Sequence, residues 1–391
     1  MELVRKCEII YFLPDVAGGV TSVVHNLLKY RKGSDINYKV ILTRLIERDE
    51  AHVSVDFEAD ETIVFTYSKF ENLYSISKRL KNHISSSDSI LVANDGLELR
   101  MVQLLKLPNK LIYIMHGDFG FYYNLIERNQ GVIDQYIAIS KFLDLKLKEK
   151  LNPENTGKIS LKYFPVSRVN WTNIKSKSID LIFVGALNER KGVQYLKPIY
   201  TEIQKVLPDV NLTIIGSGEF ENKLKNQFKD NSNVYFFGQL NSNQVSAAMY
   251  DSKVLIFPSL VEGLPNVVVE AMKSFCVPVC SDLESGIPDL IEHEVTGFKI
   301  PIGDIEDFAL HAISLIKDDI FREKIAVEAH NKVSLKFNPE QNAEGYENLI
   351  VNAKKSYKKY HGKTEGGILN QPYIPNTVVK IIRKLSLSPK L

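Results

Sequence analysis

The N-terminal half of the chain alternates short apolar runs with longer stretches of helical spacing. CEIIYFL (7–13), YKVILT (38–43), TIVFTY (62–67), SILVAN (89–94), KLIYIM (110–115) and QYIAIS (135–140) are rich in β-branched and aromatic residues. Between them, VTSVVHNLLKY (20–30) and FENLYSISKRLKNHI (70–84) repeat apolar side chains at three- and four-residue steps. Two-sided apolar strands separated by helices predict a parallel sheet covered on both faces, an α/β unit. SRVNWTNIKSKS (167–178) interrupts the pattern and reads as a linker. A second series follows with IDLIFVGAL (179–187), VNLTIIGSG (210–218), NVYFFG (233–238), KVLIFPS (253–259) and VPVCSD (277–282). Beyond residue 303 the spacing is helical. The predicted organisation is two Rossmann-like domains, 1–168 and 169–338, facing across a cleft. A crossover helix (339–361) and a basic tail (362–391) complete the chain. In such sheets ligands bind outside the carboxyl ends of the strands.

Composition narrows the class without choosing the chemistry. The 391 residues are 44% hydrophobic and 25% charged, the balance of a soluble globular protein. A net charge of +2 gives no electrostatic case for nucleic-acid binding. The three cysteines (Cys7, Cys276, Cys280) form no C-x-x-C pair, so neither a disulfide framework nor a zinc ribbon is expected. No apolar run reaches the ~18 residues of a spanning helix. The N-terminal apolar run is too short for a signal peptide, and a cytoplasmic protein is the expectation. Charge is nevertheless uneven: 171–350 carry 17 basic and 25 acidic residues, whereas 351–391 carry 9 and 1. Within the tail, Val378, Ile381, Ile382 and Leu385 fall at helical spacing among Lys380, Arg383 and Lys384, a short basic amphipathic helix.

Several nucleotide and metal signatures are missing. G-S-G-E-F-E (216–221) fails the dinucleotide fingerprint at its last position, and no phosphate loop, H-E-x-x-H or D-x-D occurs. A diphosphate bound here must be neutralised by main-chain amides and basic side chains.

The segment 257–298, FPSLVEGLPNVVVEAMKSFCVPVCSDLESGIPDLIEHEVTGF, supplies such groups. A strand ending at Pro258 leads into the loop EGLPN, and a helix begins near Asn266, a residue suited to cap it. Gly263 permits close backbone approach, and free N–H groups about Gly263, Leu264 and Asn266 make an anion site. Glu262 and Glu270 flank the site with seven residues between them. The interval alone carries nothing, since Glu50 and Glu58, or Glu284 and Glu292, share it.

In its setting, this segment resembles the E-x7-E signature of the retaining glycosyltransferases of family 4, which have the GT-B fold. DLESGIPDLIEHEVTGF resembles the family's continuation, with Asp289 where Glu is usual. FVGALNERKGVQYL (183–196), TIIGSGEFE and VYFFGQL resemble its donor-domain strand ends. LPDVAGGVTSVVHNLL (13–28), containing Gly18 and Gly19, and YIMHGD (113–118) resemble the opening loop and histidine motif of its acceptor domain. The resemblance spans residues 7 to 350.

It implies a nucleotide-sugar donor, favouring UDP-sugar over GDP-sugar, and neither cofactor nor metal. Arg190 and Lys191 would hold the diphosphate, Glu270 the ribose and Glu262 the transferred sugar. His116 would position that sugar, and backbone near Leu240 would meet the base. The implied acceptor is a glycan or lipid-linked glycan in surface polysaccharide synthesis. KFLDLKLKEKL (141–151) and the basic tail would then allow peripheral association with the cytoplasmic membrane face. The alternatives are another GT-B enzyme, such as a nucleotide-sugar epimerase or phosphorylase, or a non-catalytic nucleotide-sugar-binding protein.

Overall fold

The computed structural model describes residues 7–33, 35–48, 52–53, 55–169, 176–360 and 367–387. Part of the linker (170–175) and two tail segments (361–366 and 388–391) lie outside the described residues. The chain divides into two compact units. The first comprises Met1–Ile139, Asp144–Pro165 and Glu340–Leu391; the second comprises Ser140–Leu143 and Val166–Pro339.

The first unit holds strands β1 (Cys7–Pro14), β2 (Ile36–Leu45), β3 (Glu61–Tyr67), β4 (Ile90–Ala93), β5 (Leu111–Met115), β6 (Gln135–Ala138) and β7 (Ile159–Leu161). They form one parallel sheet in the order β3-β2-β1-β4-β5-β6-β7. Central β1 is buried on both faces from Ile9 to Leu13. Edge strand β3 buries Phe65 while Thr62, Val64 and Thr66 face solvent, as expected when only one side is covered.

The second unit holds β8 (Ile179–Val184), β9 (Leu212–Ile215), β10 (Val234–Phe236), β11 (Ser252–Phe257), β12 (Val277–Ser281) and β13 (Phe298–Ile300). These are parallel in the order β10-β9-β8-β11-β12-β13. Its core packs Phe183, Ile214, Ile256 and Val279 of the sheet against Leu196, Ile199, Ile203, Phe308 and Leu315 of the helices. In each sheet the strand order reverses between two neighbours, β1 beside β4 and β8 beside β11. Loops leaving those strands diverge there, opening a crevice at their carboxyl ends.

The helix Pro339–Asn352 belongs to the first unit. Its Tyr346 hydroxyl donates to the Lys162 carbonyl (2.9 Å), and Glu347 accepts from the Tyr38 hydroxyl and the Gly33 N–H. The sequence pattern extends this helix to 361, but it stops at Asn352, and residues 353–360 have no regular secondary structure. That stretch is held by Asp134 instead. The carboxylate accepts from Leu111 N–H (2.8 Å), Ser356 N–H (2.6 Å) and Lys358 Nζ (2.8 Å). In the helix Lys141–Lys150, Leu143 and Leu147 lie in the core, as does Leu151 just beyond it, leaving only Leu145 of the four leucines exposed. Most of the apolar surface expected to meet a membrane is therefore used inside the protein. Among the described residues no helix is long and apolar enough to cross a membrane.

Asp134 and Lys358 form a buried ion pair, so removing the acid leaves an ammonium stranded in a water-poor site. Asp134→Ala should cost about 3–5 kcal/mol, read as a fall in the urea midpoint. An unchanged midpoint would show that Lys358 relaxes outward freely.

Candidate functional site

The loop after β8 is shaped by two local devices. The Asn188 side chain accepts from Lys191 N–H (3.1 Å), closing the single 3-10 turn Glu189–Lys191. Gly192 follows in the left-handed region (φ 69°), where an added Cβ would lie 1.8 Å from the Pro258 carbonyl oxygen. Only glycine fits that approach. Leu260 N–H donates to the Arg190 carbonyl (2.9 Å), joining this loop to the one after β11.

Glu262 completes the junction. Its Oε1 lies 2.6 Å from Lys191 Nζ, accepts from Ser259 Oγ at 2.6 Å, and stands 3.7 Å from Arg190 Nη1. That Arg190 nitrogen also donates to the Val261 carbonyl (3.3 Å). The second oxygen, Oε2, makes no hydrogen bond among the described residues. Three predicted site residues, Arg190, Lys191 and Glu262, thus converge on one carboxylate oxygen.

Beyond Glu262 the loop turns into the helix Asn266–Lys273. Asn266 is not the cap expected from the sequence: Pro265 takes the N-cap position, Asn266 is the first helical residue, and no side chain caps the end. The rigid φ of Pro265 sets the entry (φ −77°) without a side-chain oxygen. The N–H groups of Gly263 and Leu264 have no acceptor among the described residues. Behind them Gly286 N–H donates to the Gly263 carbonyl (2.6 Å), and a Cβ on Gly286 would meet Leu264 Cδ1 at 2.4 Å. The SGIPD turn therefore fixes which way the loop amides point.

Glu270, half-buried in that helix, has no hydrogen-bond partner among the described residues. Burial pushes its carboxyl up to about 7, against the opposing charge of Lys273. Lys273 is directed elsewhere, donating to the carbonyls of Val166 (2.6 Å) and Phe337 (2.9 Å). Leu240 is half-buried beyond β10, two residues after Gly238, whose carbonyl accepts from Gly216 N–H (2.7 Å).

In the first unit, Gly18 caps and Gly19 begins the helix Gly19–Lys29, again with no side-chain cap. A Cβ on Gly18 would meet nothing within 4 Å, so the surface above it is open. His116 follows β5, its Nε2 lying 2.7 Å from Asn94 Oδ1. Asn94 uses its amide to donate to the Phe12 carbonyl (2.9 Å), so its oxygen faces the imidazole and Nε2 carries the proton. Nδ1 is left as an acceptor. Burial lowers the His116 pKa to about 3, keeping the ring neutral. Buried Glu98 accepts from Asn94 and Asp95 N–H (3.0 and 2.8 Å), and burial followed by the Asp95 charge raises its carboxyl to about 8.

Sequence reasoning missed Asn94, Glu98, Asn188 and Ser259. Two of them carried a usable signal: Asn94 and Ser259 are polar residues immediately beyond apolar strands, where a crevice of this fold collects its side chains.

The architecture defines a class before any sequence match is considered. TarM of S. aureus superimposes with a TM-score of 0.71 at 15% identity, over 90% of this chain and 100% of that one. Anabaena HepE, solved with UDP-glucose, gives 0.69 at 17% identity, over 88% and 99%. The fold is GT-B. Residues 170–332 match the family described as "Glycosyl transferases group 1". The O-antigen biosynthesis glycosyltransferase WbnH of Escherichia coli is 30% identical over 301 residues, 73% of this chain and 82% of that one. A Haemophilus influenzae glycosyltransferase is 29% identical over 270 residues, 64% and 75% of the two chains. The chain belongs to the group 1 glycosyltransferases, and it is an enzyme.

Gly192→Ala forces the two loops apart and should lower stability by about 1–3 kcal/mol. An alanine variant that melts like the wild type in calorimetry would refute the close approach. The folded-state pKa of Glu270 stands above its ordinary value of 4.5, so the associated stability is complete below that pH and lost as pH rises through about 7. Glu270→Gln should raise the melting temperature at pH 8 and leave it unchanged at pH 4.5. An equal shift at both pH values would separate the effect from ionisation.

Proposed function

We propose that the enzyme moves a sugar from a nucleoside diphosphate sugar to a glycan or lipid-linked acceptor in surface polysaccharide synthesis. The anomeric configuration is retained and no divalent metal is required. UDP-sugars are favoured over GDP-sugars as donors. The observation that carries this reading is the grouping of Arg190, Lys191 and the unpaired Gly263 and Leu264 amides at an uncapped helix end, one turn from the unpaired carboxylate of Glu270.

Breaking the bond from the anomeric carbon sends its electron pair onto the diphosphate, leaving positive charge on the sugar. Arg190 and Lys191 meet the growing negative charge, with the loop amides of Gly263, Leu264 and Asn266. Lys191 keeps two N–H donors beyond the one directed at Glu262. Glu270 receives ribose hydroxyls, Glu262 offers Oε2 to the transferred sugar, and backbone at Leu240 meets the base. His116, neutral with Nδ1 open, accepts from a sugar hydroxyl, while Gly18 and Gly19 leave room for the acceptor. The departing phosphate oxygen takes the acceptor's proton, so no protein base is assigned.

The characterised roles in the names of relatives support the substrate classes. WbnH is an O-antigen glycosyltransferase, AmsK of Erwinia amylovora an amylovoran one, and HepE has been solved with UDP-glucose. Peripheral membrane association follows from a lipid-linked acceptor.

Arg190→Ala or Lys191→Ala should lower turnover by ~10²–10³, about 2.7–4 kcal/mol of transition-state stabilisation. Release of nucleoside diphosphate from a panel of UDP- and GDP-sugars, with and without EDTA, measures this. Full turnover by Arg190→Ala, or its loss in EDTA, would reject the diphosphate assignment or the metal-free one respectively. Ionisation of Glu270 should make UDP bind more tightly at pH 8 than at pH 6, and Glu270→Gln should flatten that dependence. A pH-independent wild type would remove the ribose role.

A further inference from the structure

The helix Asn376–Leu387 carries two stripes of helical spacing. Asn376, Val379, Lys380 and Arg383 form one, and Val378, Ile381, Ile382 and Leu385 form the other. A two-residue offset turns a helix by about 200°, so the stripes lie on opposite sides. The polar stripe is the docked one. Asn72 N–H donates to Asn376 Oδ1 (2.7 Å), and Lys380 Nζ lies 3.3 Å from Glu71 Oε1. Arg383 donates to the carbonyls of Glu71 and Lys69 and to Asn370 Oδ1. Buried Asn72 also donates to the carbonyls of Gln371 and Ile374, both at 3.0 Å, fixing the turn into the helix.

The apolar stripe consequently faces outward. Exposures are 42% for Val378, 60% for Ile381, 41% for Ile382 and 70% for Leu385, with exposed Ile368 and Tyr373 in the preceding segment. A contiguous apolar face of this kind marks a contact surface. Its occupant is narrowed by charge. Residues 367–387, which carry this face, hold three basic side chains and no acidic one, so two such segments repel one another, whereas an anionic surface attracts them. Lys69 stands exposed beside the helix.

We propose that this outward face lies in the headgroup–acyl boundary of an anionic phospholipid bilayer, with the polar stripe holding it to the first unit. The inference rests on the peripheral location in the proposed function and supplies the surface responsible. It inverts the usual arrangement, in which a surface helix buries its apolar side in its own protein.

The full chain should float with phosphatidylglycerol-containing vesicles and much less with phosphatidylcholine ones, and 0.5–1 M salt should weaken the binding. Ile381→Ser combined with Leu385→Ser should reduce that binding at least tenfold while melting temperature and sugar transfer to a soluble acceptor stay at wild type. Ile381→Trp should show a blue-shifted emission, over the wild-type background, when phosphatidylglycerol vesicles are added. Wild-type flotation of the double serine variant, or no shift from the tryptophan, overturns the proposal. So does a wild-type dimer in sedimentation velocity that the serine variant converts to monomer, since a second copy would then cover the face. Transfer to the soluble acceptor reads the catalytic assignment separately.

Discussion

One carboxylate oxygen holds the candidate donor site together. Glu262 Oε1 draws in Lys191 from a loop 71 residues upstream, together with Ser259 and the nearby Arg190. The two loops leave neighbouring strands β8 and β11, and Gly192 against Pro258 brings their backbones into contact. Removing charges from water costs more than one ion pair reliably returns, so such a pair is weak evidence of stabilisation. Its better-supported role is positional. Without the carboxylate, Lys191 has a long flexible stem and no fixed destination; with it, the ammonium is held near the helix end and keeps donors available.

Whether those cations can recruit an anion depends on distance. Residues 171–350 carry a net −8, a field that disfavours a diphosphate. At physiological ionic strength the Debye length is about 8 Å, so distant surface acids are largely screened. A phosphate oxygen in hydrogen-bond contact with guanidinium, ammonium and amides is not. The short-range groups prevail, which is why their arrangement matters more than the net charge of the surrounding stretch of chain.

The parts legible in sequence were those with local causes. Short apolar runs bounded by polar or glycine residues identified most strands of both sheets, whereas β7 and β13, three residues each, sit in ISL and FKI without such a run. Glu262 and Glu270 were legible through their strand–loop–helix setting. The pairing of Glu262 with Lys191 was not, because it is a tertiary contact between separate loops. Pro265 displaced Asn266 from the cap because a proline's fixed φ can start a helix without a side-chain oxygen. The tail shows the limit most sharply. Periodicity revealed an apolar stripe but could not say which side docks, since that is decided by Asn72 and Glu71, some 300 residues away.

Satisfaction of polar groups shows which side chains the fold has already engaged, something spacing cannot show. Asp134 receives backbone and lysine donors, Lys273 is taken up by carbonyls, and the Asn72 side chain accepts from Tyr74 N–H while donating to the Gln371 and Ile374 carbonyls. Those groups are already satisfied within the fold. Glu270, Glu262 Oε2, His116 Nδ1 and the amides of Gly263 and Leu264 have no such partners among the described residues. Burial drives Glu270 and His116 toward their neutral forms. Within the second unit, a ligand carrying hydroxyls and phosphate oxygens would supply partners to Glu270, Glu262 Oε2 and the two loop amides. Open bonding alone marks no site, since the buried hydroxyls of Tyr113 and Tyr136 and the Oε2 of Glu98 also lack partners among the described residues; it becomes informative where several such groups share one loop and helix end, as Glu262, Gly263, Leu264 and Glu270 do.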